Sequence, residues 1–158
     1  MKIEGTYSFI IDRDSLFRAF FDQEILKNSI PGCKKLDDLG NGIHQVFMSI
    51  GVGPVKGEYQ GKVDVSDSVF PERIRLTGEG DGKQGFVKGD GILLLSEEGE
   101  KTIISYSGDV EVGGIIASVG QRVLKGVAKF LIGQFFQRIK KNLSKTNDKK
   151  ARYETSSL

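Results

Sequence analysis

Apolar and polar residues alternate with a period of two along most of residues 1–112, which is the pattern of β-strands. The first strand is predicted over residues 2–11. Two short helices are predicted after it, one in the segment DSLFRAFFD and one over about residues 22–29. Pro31-Gly32 then ends the second helix, because the residue before a proline disfavours helical geometry and glycine commonly closes a helix.

Only strands are predicted from Cys33 to Val112. They have roughly 6–12 residues each and are expected near residues 33–38, 43–50, 55–66, 72–80, 86–96 and 101–112. The turns are marked by Asn41-Gly42, Asp81-Gly82 and Glu98-Gly99. Neighbouring strands joined by short turns form an antiparallel meander, so the sequence predicts one antiparallel sheet of about six to seven strands.

A helical period replaces the alternation near residue 115. Residues 115–143 are predicted as one helix, ~44 Å long at 1.5 Å per residue. Its apolar residues cover an arc of roughly 220°, whereas packing on one sheet face requires about 100°. The opposite side carries the cations Arg122, Lys125, Lys129 and Lys140 and is interrupted by Phe136. We therefore expect an α+β fold in which a curved sheet wraps around this helix.

The chain contains 21 glycines, and several fall on the strand face predicted to point inward. These are Gly57, Gly61, Gly78, Gly80 and Gly108. Glycine inside a strand weakens it unless it permits a bend or a close approach. The pattern predicts a strongly curved sheet, and it leaves two interpretations open: the helix packs closely over the glycines, or a ligand cavity remains there.

Composition limits the class of protein. The apolar fraction of 38% and the charged fraction of 28% are ordinary for a globular domain. No signal peptide and no apolar run of about 18 residues is found in the sequence. Cys33 is the single cysteine, so no internal disulfide can form and a reducing compartment is expected. We predict a cytoplasmic protein with one domain over residues 1–143 and a mobile, basic tail over residues 144–158.

Charge is distributed unevenly. Residues 1–112 carry 13 Lys and Arg against 19 Asp and Glu, whereas residues 113–158 carry 10 against 2. The basic end is predicted to meet an anionic lipid surface or an acidic protein, and a tail without any contact is the alternative. The expected contact residues are Arg138, Lys140, Lys141, Lys145, Lys149, Lys150 and Arg152. Nucleic acid is disfavoured, because no stacking aromatic residues accompany these charges apart from Tyr153.

No catalytic constellation is visible. The string GDGKQG at residues 80–85 matches the dinucleotide-binding pattern, but a strand follows it where that motif requires a helix, so a hairpin is predicted. His44 is predicted as an edge or surface side chain and Cys33 as a structural thiol. Asp90 and Asp109 alternate outward, away from the expected cavity. We expect no catalytic residue, metal site or cofactor.

Four segments resemble the carbon monoxide dehydrogenase G-subunit family. They are IPGCKKL (30–36), GVGPVKGEYQGKV (51–63), GEGDGKQGFVKGDG (78–91) and YSGDVEVGGIIASVGQRVLKGVAKFLIGQFF (106–136). The resemblance covers about residues 1–143. It implies the helix-grip fold of the START and birch-pollen-allergen superfamily, with a hydrophobic tunnel between sheet and helix. It also implies association with a molybdenum hydroxylase of the carbon monoxide dehydrogenase type, recruitment to the cytoplasmic membrane, and handling of a quinone.

The sequence and the resemblance together favour a non-catalytic protein that holds a lipid-like ligand, such as a quinone, in the cavity. The expected ligand-binding residues are Tyr59, Gly61, Phe86, Tyr106, Gly108, Val123, Val127, Phe130 and Leu131. Because the tail lacks an apolar anchor, contact with the membrane is expected to be transient. Two alternatives stay open: an enzyme of the cyclase or hydratase kind, and a structural adaptor with a filled core. A carboxylate or histidine pointing into the cavity would favour the enzyme.

Overall fold

A computed structural model describes the backbone of residues 1–156 and the side chains of residues 1–144. Seven antiparallel strands form one sheet in the order β1-β7-β6-β5-β4-β3-β2. The strands are β1 (Lys2–Phe9), β2 (Cys33–Gly40), β3 (Ile43–Ile50), β4 (Gly57–Asp64), β5 (Arg73–Gly82), β6 (Gly85–Glu98) and β7 (Lys101–Gly113). The predicted fold class is confirmed: a meander from β2 to β7, with β1 paired to β7.

Two short helices follow β1, as the sequence predicts: α1 (Arg13–Ala19) and α2 (Gln23–Ser29). Each begins at an aspartate whose side chain accepts a hydrogen bond from a backbone amide three residues later. Asp12 accepts from Ser15 and Asp22 accepts from Ile25, both at 3.0 Å. This is N-capping, which satisfies an amide that the helix itself leaves unpaired.

The turns are built by residues that adopt positive φ. Asn41 (φ 57°) and Gly42 (φ 79°) form the two-residue connection between β2 and β3, the conformation that the Asn-Gly pair favours. The string at residues 80–85 ends β5 and begins β6, so the predicted hairpin is confirmed. The fourth strand is shorter than the predicted 55–66, because residues Gly53–Val55 form a 3₁₀ turn before it.

The C-terminal helix starts later and extends further than the predicted 115–143. Ile115–Val119 form a separate 3₁₀ segment, and the α-helix, α3, covers Gln121–Ser156. Gly114 (φ 80°) and Gly120 (φ 97°) adopt conformations that are not helical on either side of the 3₁₀ segment. The Ile116 amide donates to the Gln84 carbonyl at 2.8 Å, which ties this segment to the β5–β6 turn. The proposed division at residue 143 stays a prediction.

The main core lies at one end of the sheet, between the sheet, α1, α2 and residues 132–143 of α3. Its fully buried side chains include Phe9, Leu16, Phe20, Ile104 and Ile139. Phe136 was expected to interrupt the polar side of the helix, and that prediction is wrong, because Phe136 is buried in this core.

The reason for the burial of Phe136 is that β1 covers that side of α3. The ring of Tyr7 lies 4.7 Å from the ring of Phe136, and the ring of Phe9 lies 6.1 Å from it. Gly133 permits this contact, since a Cβ at that position would lie 2.9 Å from the Tyr7 hydroxyl oxygen.

Candidate functional site

A cavity of about 340 Å³ lies between the concave face of the sheet and the first turns of α3. Its strand walls are formed by inward apolar side chains, among them Val46, Met48, Val63, Leu76, Val110 and Val112. The helical wall is formed by Leu124, Val127, Ala128 and Leu131, with Ile116 from the 3₁₀ segment. The predicted cavity between sheet and helix is therefore present.

A second cavity of about 290 Å³ continues the first toward the core. Both cavities are lined by Leu76, Gly89, Val110 and Leu131, so they adjoin along β5, β6, β7 and α3. The far end of the second cavity is formed by Leu93, Tyr106, Phe135 and Phe136. Together they make an elongated apolar space parallel to the helix, rather than a single compact pocket.

Charged residues at the cavity margins direct their side chains to the other face of the sheet. Lys62 and Glu79 contribute to a polar groove of about 400 Å³ on the outer face. Asp90 accepts a hydrogen bond of 2.9 Å from exposed Arg75, which lowers the pKa of the Asp90 carboxyl below its ordinary value. Among the side chains of residues 1–144, those that strand alternation and the helix direct into the cavities are apolar or tyrosine.

Two tyrosines lie on the cavity walls. The Tyr59 hydroxyl donates a hydrogen bond to the Val55 carbonyl at 2.7 Å, and burial raises the pKa of this hydroxyl. Burial also raises the pKa of Tyr106, with a further contribution from Tyr7. Tyr106 lies over Gly5, its partner on β1, and its ring is 5.7 Å from that of Phe136. Both hydroxyls therefore keep their protons near neutral pH and can donate or accept hydrogen bonds.

Six of the nine residues predicted for ligand binding lie on the cavity walls. Tyr59, Gly61 and Val127 line the larger cavity, Leu131 lines both, and Tyr106 and Gly108 line the smaller one. Whether they contact a ligand stays a prediction.

The structure contradicts the placement of Phe86 at the cavity. Its neighbour Val87 points into the cavity, so strand alternation directs Phe86 to the outer face. There its ring covers Gly113 on β7, and the Lys88 ammonium lies 6.0 Å from the ring centroid.

Val123 and Phe130 are also misplaced by the prediction, since both are exposed. Leu124, Val127 and Leu131 set the direction in which α3 faces the cavity. Successive helical residues are about 100° apart, so positions 123 and 130 fall at the margin of that face and point to solvent.

Several wall residues were not predicted, notably Val46, Met48 and Ile50 of β3 and Gly89 of β6. The alternation of apolar residues in IHQVFMSI is the signal that could have identified the first three.

The same alternation shows that the predicted position of His44, at an edge or on the surface, is wrong. His44 is buried on the inward side of β3, 4% exposed, with no hydrogen-bond partner for Nδ1 among the described residues. It does not line either cavity.

The inward glycines fall into two groups, according to what a Cβ at each position would contact. A Cβ on Gly61 would overlap the Glu79 carbonyl oxygen, and one on Gly108 would lie 2.8 Å from the Asp90 carbonyl oxygen. These two glycines are required by the close approach of neighbouring strands. A Cβ on Gly78 or Gly89 would make only ordinary contacts, at 3.7 Å and 3.9 Å. Gly78 and Gly89 therefore leave cavity volume that a larger residue would fill.

The basic residues of the C-terminal end are only partly described. Arg138 is half-buried, Lys141 is exposed, and the Lys140 ammonium lies 5.6 Å from the Phe9 ring centroid. Lys145, Lys149, Lys150 and Arg152 lie outside the described side chains. In the described part of the chain, no helix combines the length and the apolar character needed to cross a membrane.

The chain is similar to known proteins over most of its length. The model of the carbon monoxide dehydrogenase G-subunit (CoxG) family matches residues 5–144. A conserved protein from Geobacillus kaustophilus has 34% identity and a TM-score of 0.89, over 92% of this chain and 97% of that chain. No curated protein matches.

Two more distant structures are similar in fold alone. A START superfamily protein from Mycobacterium smegmatis has 14% identity and a TM-score of 0.75, over 92% of this chain and 98% of that one. The major latex-like protein 151 from Panax ginseng has 14% identity and a TM-score of 0.66, over 90% and 96%. The architecture is therefore that of the START-like proteins.

Proposed function

The chain belongs to the carbon monoxide dehydrogenase G-subunit family, and from this membership and the cavity we propose that it is a non-catalytic binding protein for an apolar, lipid-like ligand. The observation that carries the proposal is the elongated apolar space made by the two adjoining cavities. Cavities of this size and apolar character are typical of small-molecule sites. The helix-grip architecture positions the space, because the sheet supplies one wall and α3 supplies the other.

A quinone is the ligand class that we favour. Its ring and chain suit apolar walls, and its carbonyl oxygens accept hydrogen bonds. Tyr106 is the better donor, since the Tyr59 hydroxyl already donates to the Val55 carbonyl. The Tyr106 hydroxyl is protonated near neutral pH, because the ordinary tyrosine pKa is about 10 and burial raises it further. Membership of the family supports a role beside a molybdenum hydroxylase of the carbon monoxide dehydrogenase type at the membrane face.

The basic C-terminal end is proposed to make transient contact with an anionic membrane or with the partner enzyme.

The two alternative functions, an enzyme and an adaptor, fit the described geometry less well. A cyclase or hydratase would need an acid or base at the ligand, and the side chains directed into these cavities are apolar or tyrosine in residues 1–144. An adaptor with a filled core would not contain the unfilled space that lies beside Gly78 and Gly89.

The direct test is to purify the protein from its own host and analyse it by native mass spectrometry, with organic extraction of whatever co-purifies. We expect a quinone or another lipid at up to one molecule per chain. Because the chain has no tryptophan, binding of decylubiquinone can be followed by quenching of tyrosine fluorescence. A protein that carries no apolar molecule and shows no saturable quenching would contradict the proposal.

A further inference from the structure

The first three turns of α3 expose apolar side chains to solvent. Val123 is 46% exposed and Phe130 is 52% exposed. Seven residues separate them, so on an α-helix they lie about 20° apart around the axis and about 10 Å apart along it. Gly126, between them, is exposed with no atom near its Cβ position. These three residues form one continuous strip, here called the apolar strip.

Cations border this strip without any acidic neighbour on the helix. Arg122 and Lys129 are exposed on the adjacent part of the same turns, and Lys125 is exposed further round the helix. The sequence has no Asp or Glu from residue 112 to residue 147. Within the described side chains none of the three cations forms an ion pair, whereas Arg75 on the sheet bonds Asp67 and Asp90. The charge of this surface is therefore positive and uncompensated.

The strip lies directly beside the cavity wall. Val127 lines the larger cavity and is four residues from Val123 and three from Phe130, so its side chain is next to both. Leu124 and Ala128, in the same turns, also line the cavity. Apolar surface thus continues around α3 from the outside of the molecule to the inside of the site.

We propose that the apolar strip, Arg122 and Lys129 form the surface on which the protein docks to an anionic lipid bilayer. The apolar side chains enter the boundary between headgroups and acyl chains, and Arg122 and Lys129 lie at the level of the lipid phosphates. This combination is how amphipathic helices bind at a membrane interface. An apolar ligand could then pass between bilayer and cavity along Val127 without crossing water. This purpose rests on the proposed function, but the docking itself does not.

The apolar part is tested with Val123→Gln/Phe130→Gln, measured by co-sedimentation with vesicles of phosphatidylcholine containing about one-quarter phosphatidylglycerol. We expect binding to fall about tenfold or more, since both apolar side chains are lost from the interface. The matched control is Ile10→Gln/Leu94→Gln, which removes two other exposed apolar side chains (76% and 51% exposed) and should change binding less than about twofold. Equal losses in the two variants would overturn the proposal.

The cationic part is tested with two variants of equal net charge. Arg122→Gln/Lys129→Gln should weaken vesicle binding by about tenfold or more, because both cations lie beside the strip. Lys149→Gln/Lys150→Gln, in the C-terminal tail, should weaken it less than about threefold, because the tail is proposed to make only transient contact. If the tail variant loses as much or more, the tail or the overall net charge attracts the lipid, and the docking surface is wrong.

Decylubiquinone binding in vesicle-free buffer separates this inference from the proposed function. Wild-type protein that binds vesicles but no quinone contradicts the proposed function and leaves the docking surface supported. The molar mass by light scattering separates a second copy of the chain from lipid. If the wild type is a dimer and Val123→Gln/Phe130→Gln is a monomer with unchanged vesicle binding, the strip is a protein interface and the inference is overturned.

Discussion

The two ends of the space between sheet and helix are built by the same elements and packed in opposite ways. At one end, here called the packed end, Phe9, Leu16, Ile74, Ile104 and Ile139 are almost fully buried against each other. At the other, here called the open end, the residues of the larger cavity face about 340 Å³ of space. The helix α3 forms part of both ends.

The difference arises within single strands. The inward positions of β5 read Ile74 and Leu76 toward the packed end, then Gly78 and Gly80 toward the open end. On β6, Leu95 and Leu93 give way in the same direction to Gly91 and Gly89.

Helices α1 and α2 add Leu16, Phe17, Phe20 and Ile25 to the packed end alone. Near the open end, only Leu26 of α2 contributes, in a smaller cluster with Leu36 and the cavity residue Val46. Most of the fully buried side chains are therefore in one half of the domain, and the larger cavity is in the other half.

The largest expected difference is in stability, between two substitutions on α3. Ile139→Ala removes a fully buried side chain from the packed end and should lower the free energy of unfolding by about 2–5 kcal/mol. Leu131→Ala, which deletes a side chain of similar size from a wall already facing space, should cost less than about 1.5 kcal/mol. Urea unfolding measures both. Equal losses would show that the open end is packed as tightly as the core.

The second expected effect is on the free energy of unfolding, and it differs between the two groups of inward glycines. Gly61→Ala should destabilise the protein by roughly 2 kcal/mol or more, because its Cβ would overlap the Glu79 carbonyl. Gly78→Ala should be neutral or stabilising by up to ~1 kcal/mol, since the Cβ enters open space and the unfolded chain loses freedom. Thermal and urea unfolding of the pair provide the measurement. A stable Gly61→Ala protein would contradict the close approach of the strands.

A smaller effect concerns the ligand. Gly78→Val and Gly89→Val place side chains in the cavity and should weaken decylubiquinone binding about tenfold, which is about 1.4 kcal/mol. Gly51→Val is the matched control, because Gly51 is exposed with no atom near its Cβ position. The unfolding free energy must be compared as well, since overpacking can cost ~1–3 kcal/mol. If stable cavity variants bind as tightly as the control, the ligand lies elsewhere.

The smallest expected effect is on the pH at which the two cavity tyrosines ionise in an alkaline titration. Burial raises the pKa of Tyr59 and of Tyr106, so both should ionise above the ordinary tyrosine value of about 10. Their contribution to stability is fully present below that value and is lost as the pH rises through the folded-state pKa. Tyrosinate absorbance of the wild type, compared with Tyr59→Phe and Tyr106→Phe, isolates each group. A phenylalanine variant with an unchanged late phase would show that its tyrosine is not shielded.

Much of this arrangement follows from local pattern. Strand alternation and the Asn41-Gly42 turn predict the sheet, and the inward phase of β4, β5 and β7 places Tyr59, Gly78 and Val112 on the concave side. These successes share a cause: a strand with one apolar face has only two orientations, and the sequence distinguishes them.

The errors arise where the sequence leaves more than one orientation. The apolar arc of α3 is about 220° wide, which is enough for Phe136 to be assigned to solvent and Val123 and Phe130 to the cavity. Tertiary contacts decide the rotation, since β1 covers one side of the helix through Tyr7. Phe86 is the second residue of β6, just after Gly85 (φ 139°), and the hairpin sets its orientation. Alternation along β3 places His44 on the same side as the inward apolar residues. Because its side chain is polar, this inward position is harder to recognise from the sequence.

An open sheet has two free edges, and the edge at β2 is irregular. The register between β2 and β3 shifts between Cys33 and Lys35 and again between Asp38 and Gly40. Between these shifts the strand carries Lys35, Asp37 and Asp38. Bulges and charges make an edge a poor template for another strand. At this edge, a domain with an unfilled apolar interior is thereby protected from joining its sheet to that of a neighbour.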